Sequence, residues 1–460
     1  MTTLSVMGRG RGQRPWAAAG APVVVLLLGL LYIVSYLDRL ILALLVAPVR
    51  AEFGISDTAI ALLVGPVFAL FGGVFALPMG WLADRVRRTR LILAGVLCWT
   101  TATIATAFAP SFETVAILRV GVAVAEAVLF PAAISMIADL FPPDRRAAAT
   151  SVFVGFGVFG AFGAFMLGGV AVQLLGSEPV AIGSLFLAPW RATFVVVALP
   201  GLLLAALFAV AVREPPRTAS IRAAAPVDAA PTSPERVFAR RNMPLFVLLF
   251  VASALGQAIV LGVSSWLPSL LVRDFGFEAG QAGIWFGLSG VTAALAGLAA
   301  APCIAGHFRS RGRMDALPLI CAGAIAVGAV PLLAGFAAPS APMLLLLLAA
   351  GYFFLVPSGT YAIFAINWTV PPRATGLFAA VYTLVNSLVA VGCGPMVVAM
   401  VSDRLGGGAN LSSGMVVLVV GAGTLSILLL LAALRPFSRL CETIERPASG
   451  PSSRGQYETE

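Results

Sequence analysis

The chain has 460 residues, of which 60% are hydrophobic and 11% charged, with a formal net charge of +9. A soluble globular protein carries about 25% charged residues, so a water-facing surface around a chain this long is excluded and lipid must be the solvent for most of it. In lipid every backbone polar group needs an internal partner, which leaves helices or closed barrels. The apolar stretches run for roughly 20 residues, the length of a spanning helix, and lack the alternation of barrel strands. All 29 basic residues are arginine. Most of them sit in segments between or flanking apolar runs, which makes nucleic acid a poor explanation of the positive charge.

In chain order, the apolar runs predict spans at 20–48, 57–82, 90–110, 113–140, 147–175, 190–212, 244–272, 280–302, 315–337, 341–368, 374–402 and 411–434. The fold class expected is therefore an all-α membrane protein of twelve helices in two six-helix bundles. Residues 1–212 form the N-terminal bundle and 213–243 a linker rich in Pro, Ala and Arg. Residues 244–435 form the C-terminal bundle, and 436–460 a tail expected to be disordered. Arg9, Arg11 and Arg14 lead into a full-length first span with no small-residue cleavage site, so no signal peptide is expected. Twenty-three arginines fall on one side of this arrangement and only Arg50, Arg191, Arg273 and Arg404 on the other. The positive-inside rule then places both termini and the linker in the cytoplasm, and the chain in a bacterial inner membrane.

A repeat is visible. Pro142-Pro143-Asp144-Arg145 follows span 4 and Pro371-Pro372-Arg373 follows span 10, an offset of 229 residues. Two similar bundles facing one another make a mid-membrane cavity suited to alternating access.

Two arginines fall inside spans. Span 1 carries Asp38 and Arg39; span 4 carries Arg119 and Glu126. A charge at the centre of a span costs about 2.5–3.5 kcal/mol on insertion scales, so such residues face a wet cavity and pair with one another. Arg119 and Glu126 are two helical turns apart and share a face. Asp38 and Arg39 point about 100° apart, so at most one of them faces a given neighbour squarely. The alternative is that the four only pin helices together, although packing in lipid is normally left to small residues. The functional reading is a proton relay: Asp38 or Glu126 loads and releases a proton, with Asp38 placed first. Arg119 and Arg39 act as charge partner or anchor for an anionic substrate group. Spans 7 to 12 carry no charge in their interiors. Tyr36, Gln257, Ser264, Ser265, Tyr361, Tyr382 and Asn386 are candidate cavity polar residues, each also explicable as a helix-packing hydrogen bond.

Gly80-Trp81-Leu82-Ala83-Asp84-Arg85-Val86-Arg87-Arg88 resembles the signature loop between spans 2 and 3 of the major facilitator superfamily, with Arg87 where a glycine is usual. The resemblance implies a cytoplasmic gate formed by Asp84, Arg85 and Arg88, with an acid meeting the N-terminus of span 11. Within that superfamily the chain is similar to the Spinster-like lipid transporters. Tyr36-Leu37-Asp38-Arg39, Arg119 with Glu126-Ala127, Asp139-Leu140-Phe141-Pro142-Pro143, Ser265-Trp266-Leu267-Pro268 and Gly394-Pro395 carry this similarity. It implies proton-coupled movement of an amphipathic lipid such as a lysophospholipid or sphingosine phosphate. The competing reading is a symporter or exporter of a small organic anion or drug. From other classes come a membrane sensor that binds without transporting and a lipid-modifying membrane enzyme; the latter is disfavoured because no HExxH, GxSxG or nucleophile cluster is present.

Other signals are discounted. Gly155-Phe156-Gly157-Val158-Phe159-Gly160 matches a nucleotide-loop pattern but lies inside an apolar span, where it predicts a close helix contact. His307 is the only histidine, and the five cysteines are scattered singly, so no metal site is expected. No cofactor is expected beyond the proton gradient. The partners expected are an amphipathic or anionic substrate and membrane lipids, with the chain itself a monomer.

Overall fold

The computed structural model describes residues 15–182, 185–217, 234–372, 374–406 and 410–445. Twelve helical segments among them are long and apolar enough to cross a membrane. They are Gly20–Leu44, Asp57–Arg85, Arg88–Thr106, Phe112–Leu140, Asp144–Leu175, Pro189–Ala211, Glu235–Phe275, Ala279–Ser310, Met314–Phe336, Ala341–Thr369, Thr375–Leu405 and Leu411–Ile444, here spans 1 to 12. Each coincides with an expected span. Large apolar side chains point outward from them, Leu77 at 78% and Val210 at 88% exposure, as a protein solvated by lipid requires.

The ends differ in one consistent way. Span 7 begins about ten residues before position 244, span 8 runs on to Ser310, and the last helix continues to Glu445. Hydropathy marks where lipid ends, but arginine is a good helix former and reaches water from the interfacial turns. Residues 234–243 of the expected linker and 436–445 of the expected tail are therefore helical. The rest of the linker from 218 to 233, the tail from 446, Arg9, Arg11, Arg14 and Arg373 lie outside the described residues.

The chain falls into two compact units, one of residues 1–41 with 71–221 and one of residues 42–70 with 222–460. The second unit therefore takes in residues 42–70, which the sequence assigns to the first bundle.

In the first unit, Ser111 caps span 4 by accepting from the Thr114 N–H at 3.3 Å, and Pro189 opens span 6 at the position where a missing N–H costs nothing. A short antiparallel hairpin, Val180–Ile182 with Leu185–Leu187, joins spans 5 and 6. The glycine run of span 5 is a close helix contact, as expected. A side chain at Gly157 would collide with the Tyr32 ring, and one at Gly160 would lie 3.2 Å from the Ile33 Cα. Span 4 breaks after Glu126: one helix ends there and a second begins at Leu129, just ahead of Pro131.

In the second unit, span 10 breaks the same way, between Leu355 and Ser358 around Pro357. Ala127 and Val356, at the two breaks, are 229 residues apart, the spacing of the repeated proline pairs. Spans 2 and 11 each contain a widened helical turn, Leu63–Val67 around Pro66 and Ser387–Cys393 before Pro395. The extra residue accommodates the proline's missing donor. The two turns pack backbone to backbone, with a Cβ at Gly65 only 3.0 Å from the Gly392 and Val391 carbonyl oxygens. Below them, at the ends joined by the span 1–2 connection, Asp57 binds Arg273 through both oxygens at 2.7 and 2.9 Å and Arg50 at 3.3 Å. Asp403 accepts from the Thr58 N–H at 2.8 Å and from its hydroxyl at 2.5 Å.

Candidate functional site

Span 1 places Asp38 and Arg39 at the centre of the first unit, against span 4. Asp38 is fully buried, and neither carboxylate oxygen meets a hydrogen-bond donor among the described residues. Arg119, 3% exposed, reaches it from span 4 but donates from Nη1 to the Asp38 main-chain carbonyl at 2.5 Å. A carbonyl has two lone pairs, so it can serve its own helix and the guanidinium together. The remaining Arg119 Nε and Nη2 have no partner among the described residues. The Arg119 Cζ stands 4.9 Å from the centroid of the Phe194 ring of span 6, whose face favours a cation.

Asp38 lies near Arg119 and the indole of Trp99, and Glu126 lies within electrostatic reach of Arg39, Asp38 and Arg119, so the four charges form one cluster. Glu126 stands at the span 4 break with Oε1 unpartnered among the described residues. Tyr32 and Tyr36, with ring centroids 5.3 Å apart, cover this side of the cluster. Tyr32 stacks on Phe153 of span 5 at 5.1 Å and meets Phe130 of span 4 at 6.2 Å. The result is a group of four charges beside an aromatic wall, able to hold a proton and an anionic group side by side.

Sequence reasoning missed one member of this group, Trp99 of span 3. Trp99 is fully buried, and its indole N–H and the hydroxyls of Thr100 and Thr103 find no partner among the described residues. The signal was available: Trp99-Thr100-Thr101-Ala102-Thr103 makes span 3 the least apolar of the twelve.

The residues of the signature loop separate. Asp84 and Arg85 are exposed, and Arg85 stacks on Trp81 at 3.6 Å. Arg88 is buried. It binds Asp139 at 2.5 Å, Glu214 at 2.9 Å, the Ser135 hydroxyl and carbonyl, and the Pro215 carbonyl. Glu214 also accepts from the Thr89 N–H and hydroxyl, both at 2.8 Å, and so caps span 3. Burial works to raise the Glu214 pKa, but the bonds from Thr89 and Arg88 prevail and hold its carboxyl below the usual range. Arg217 donates to the Ala83 and Val86 carbonyls. The start of the expected linker is thus docked onto the loop between spans 2 and 3.

Two of the polar candidates of the second unit, Gln257 and Tyr382, serve its span 10 break. Gln257 donates to the Val356 carbonyl at 2.8 Å and the Ser358 hydroxyl at 3.2 Å, and Tyr382 donates to the Gly359 carbonyl at 3.3 Å. Ser264 shares a hydrogen bond with Tyr352 at 2.9 Å, and Ser265 bonds the Leu261 carbonyl of its own helix. Tyr361 is buried between spans 9 and 10. Asn386 is half-buried, with Oδ1 unpartnered among the described residues.

The sequence pattern that defines the Major Facilitator Superfamily matches residues 28–392, well over half of the chain. The chain belongs to the Major Facilitator Superfamily. It is similar to an MFS-type efflux pump of Mycolicibacterium smegmatis, 27% identical over 401 residues that span 85% of this chain and 86% of the pump. It is also similar to protein spinster homolog 1 of Rattus norvegicus, 28% identical over 256 residues, 55% of this chain and 46% of the relative. Among solved structures it resembles a bacterial homolog of the human lysosomal transporter Spinster in an inward-facing, unoccupied conformation. The TM-score is 0.74 at 25% identity, over 95% of this chain and 100% of that one. As a superfamily member with a Spinster-like fold, the chain is a transporter rather than an enzyme. Its repeat is chemically lopsided: the residues 229 positions after Arg119 and Glu126 are Leu348 and Leu355.

Proposed function

We propose that this superfamily member is a proton-coupled transporter of an amphipathic molecule with an anionic head, of the lysophospholipid or sphingosine-phosphate type, working by alternating access. One observation carries the reading. Among the described residues the Asp38 carboxyl is fully buried without a donor, while the guanidinium beside it spends a bond on a main-chain carbonyl and keeps two nitrogens, Nε and Nη2, unpartnered. A structural pin would pair the carboxylate with the guanidinium directly, because an isolated buried charge is far more costly than a paired or neutral one. A proton on Asp38 removes that cost, and the group can give the proton up wherever water reaches it. The unpartnered Arg119 edge suits a phosphate or carboxylate. Tyr32, Tyr36 and Phe130, on the Glu126 side of the cluster, suit the first part of an apolar tail. The similarity to Spinster proteins and to an efflux pump supports the transport role itself. Asp38 is the proton carrier, Glu126 with Arg39 the second switch, and Arg119 the anchor.

A second reading keeps the same residues and drops the tail. The Arg119 edge would hold the carboxylate of a small organic acid equally well. Uptake into proteoliposomes of labelled lysophospholipid, sphingosine phosphate and a small organic acid, with and without an imposed pH gradient, separates the two. Lipid movement that follows the gradient supports the first reading. Movement of the small acid alone selects the second, and movement indifferent to the gradient removes Asp38 from its role.

A further inference from the structure

The second unit carries a groove unrelated to the buried charges. It has a volume of about 150 Å³ and opens between spans 8, 9 and 10, lined chiefly by Ala300, Ile304, Gly323, Val327, Phe354 and Pro357. Small residues make it concave. A Cβ on Gly323 would meet nothing within 4 Å, and Pro357 belongs to the span 10 break, where the helix turns aside. Ile304 and Val327 of its lining are apolar and exposed, and so are Leu319 and Val330 of span 9. The groove therefore faces the hydrocarbon.

One end of the groove is not apolar. From its edge, Tyr361, Phe364 and Trp368 follow one another along span 10, with ring centroids 6.3 and 5.8 Å apart and the last two rings parallel to within 2°. Arg309, at the end of span 8, lies over Trp368 with its Cζ 5.1 Å from the ring centroid. His307, Arg311 and Arg313 are exposed in the same turn. The acid on this connection is Asp315, 3.8 Å from Arg313. An exposed strip of arginines, Arg309, Arg311 and Arg313, thus caps an aromatic ramp that leads into an apolar groove.

The dimensions agree with a bilayer component. At 1.5 Å per helical residue, Arg309 stands about 7 Å beyond Ile304 and about 18 Å beyond Gly297, the far end of the groove on span 8. A leaflet's hydrocarbon is roughly 15 Å deep. The groove thus lies at acyl-chain depth and the arginines at head-group depth. Basic pockets between spans at this level suit anionic head groups.

We propose that spans 8, 9 and 10 form a binding site for an anionic phospholipid of the bilayer. One acyl chain lies in the groove, and the phosphate is held by Arg309 and Arg311. The site is separate from the charge cluster of the first unit and does not depend on the transported substrate.

The test uses the full chain in detergent, titrated with phosphatidylglycerol or phosphatidylcholine while the thermal midpoint is followed. Phosphatidylglycerol bearing brominated acyl chains is added in parallel, and quenching of Trp368 is taken as the difference between the natural chain and Trp368→Phe. The site predicts a midpoint several degrees higher with phosphatidylglycerol than with phosphatidylcholine, together with saturable Trp368 quenching. Both effects are lost in the Arg309→Gln/Arg311→Gln pair. They are also lost in Gly323→Leu, which fills the groove at a position with open space and so folds as the natural chain does. Equal response to both lipids, or an undiminished response in these variants, overturns the proposal.

Discussion

Arg119 Nη1 donates to the main-chain carbonyl of Asp38, and the Asp38 carboxylate accepts no hydrogen bond among the described residues. Sequence alone suggests a side-chain ion pair at this point. The geometry leaves the carboxyl free to change protonation state without dismantling the contact between spans 1 and 4. Asp38→Asn mimics the protonated acid. It is expected to retain counterflow of labelled substrate across liposomes without a gradient, and to lose at least about tenfold of pH-driven accumulation, a change worth about 1.4 kcal/mol. Full pH-driven accumulation in this variant would remove Asp38 from the proton pathway and leave Glu126 as its site.

The bidentate pair between Asp57 and Arg273 ties span 2 to span 7, and Thr58 with Asp403 ties span 2 to span 11. The Asp57 side chain is fully buried. Removing one partner of a buried pair costs about 3–5 kcal/mol. In a transporter that cost favours whichever state already has the pair open. Asp57→Asn is expected to raise the labelling rate of an Ala69→Cys variant, a buried position whose main-chain carbonyl accepts a 3.2 Å bond from the Ser387 hydroxyl of span 11, by about tenfold or more. An unchanged rate would show that other contacts, such as the Gly65–Gly392 approach, hold these spans.

Gln257 was a candidate cavity residue, but its amide serves the Val356 carbonyl that the span 10 break leaves without a helical partner. A buried carbonyl left unsatisfied costs about 1–3 kcal/mol. Gln257→Leu is therefore expected to lower the thermal midpoint in detergent, while Ser265→Ala, which removes only a bond to its own helix, leaves it close to the natural value. A Gln257→Leu chain of undiminished stability but weaker substrate binding would return Gln257 to the cavity.

Glu214 titrates below the usual carboxylate range because its bonds to Thr89 and Arg88 outweigh its burial. A depressed folded-state pKa gives stability that is fully present above the unfolded value, about 4.5 for glutamate. That stability is lost as pH falls through the lower folded value. The thermal midpoint is expected to drop in that acid window. Glu214→Gln should start lower at neutral pH and show a shallower acid drop. Parallel curves for the two proteins would mean that another carboxylate governs the acid transition.

The sequence made the membrane fold, the number of spans and the charged residues of spans 1 and 4 legible, because each rests on composition within a single segment. Glu126 and Arg119 stood out as candidates because a charge is costly in an apolar run. Trp99 was overlooked because an indole is unremarkable in a span until a buried carboxylate is found beside it. Helix ends at Pro234, Ser310 and Glu445 were misplaced because hydropathy reports the solvent and not the backbone.

What the sequence determined by itself is the choice of solvent. Few charges and long apolar runs leave spanning helices as the stable backbone, and the spacing of two proline pairs shows that the pattern occurs twice. Tertiary structure alone decided which atom of Asp38 meets Arg119, that Arg88 is buried with Asp139 and Glu214 rather than displayed, and that Gln257 mends a broken helix. These are matters of a few ångströms between segments far apart in the chain. A hydrogen bond is made or lost over about that distance, and no periodicity within one helix encodes it.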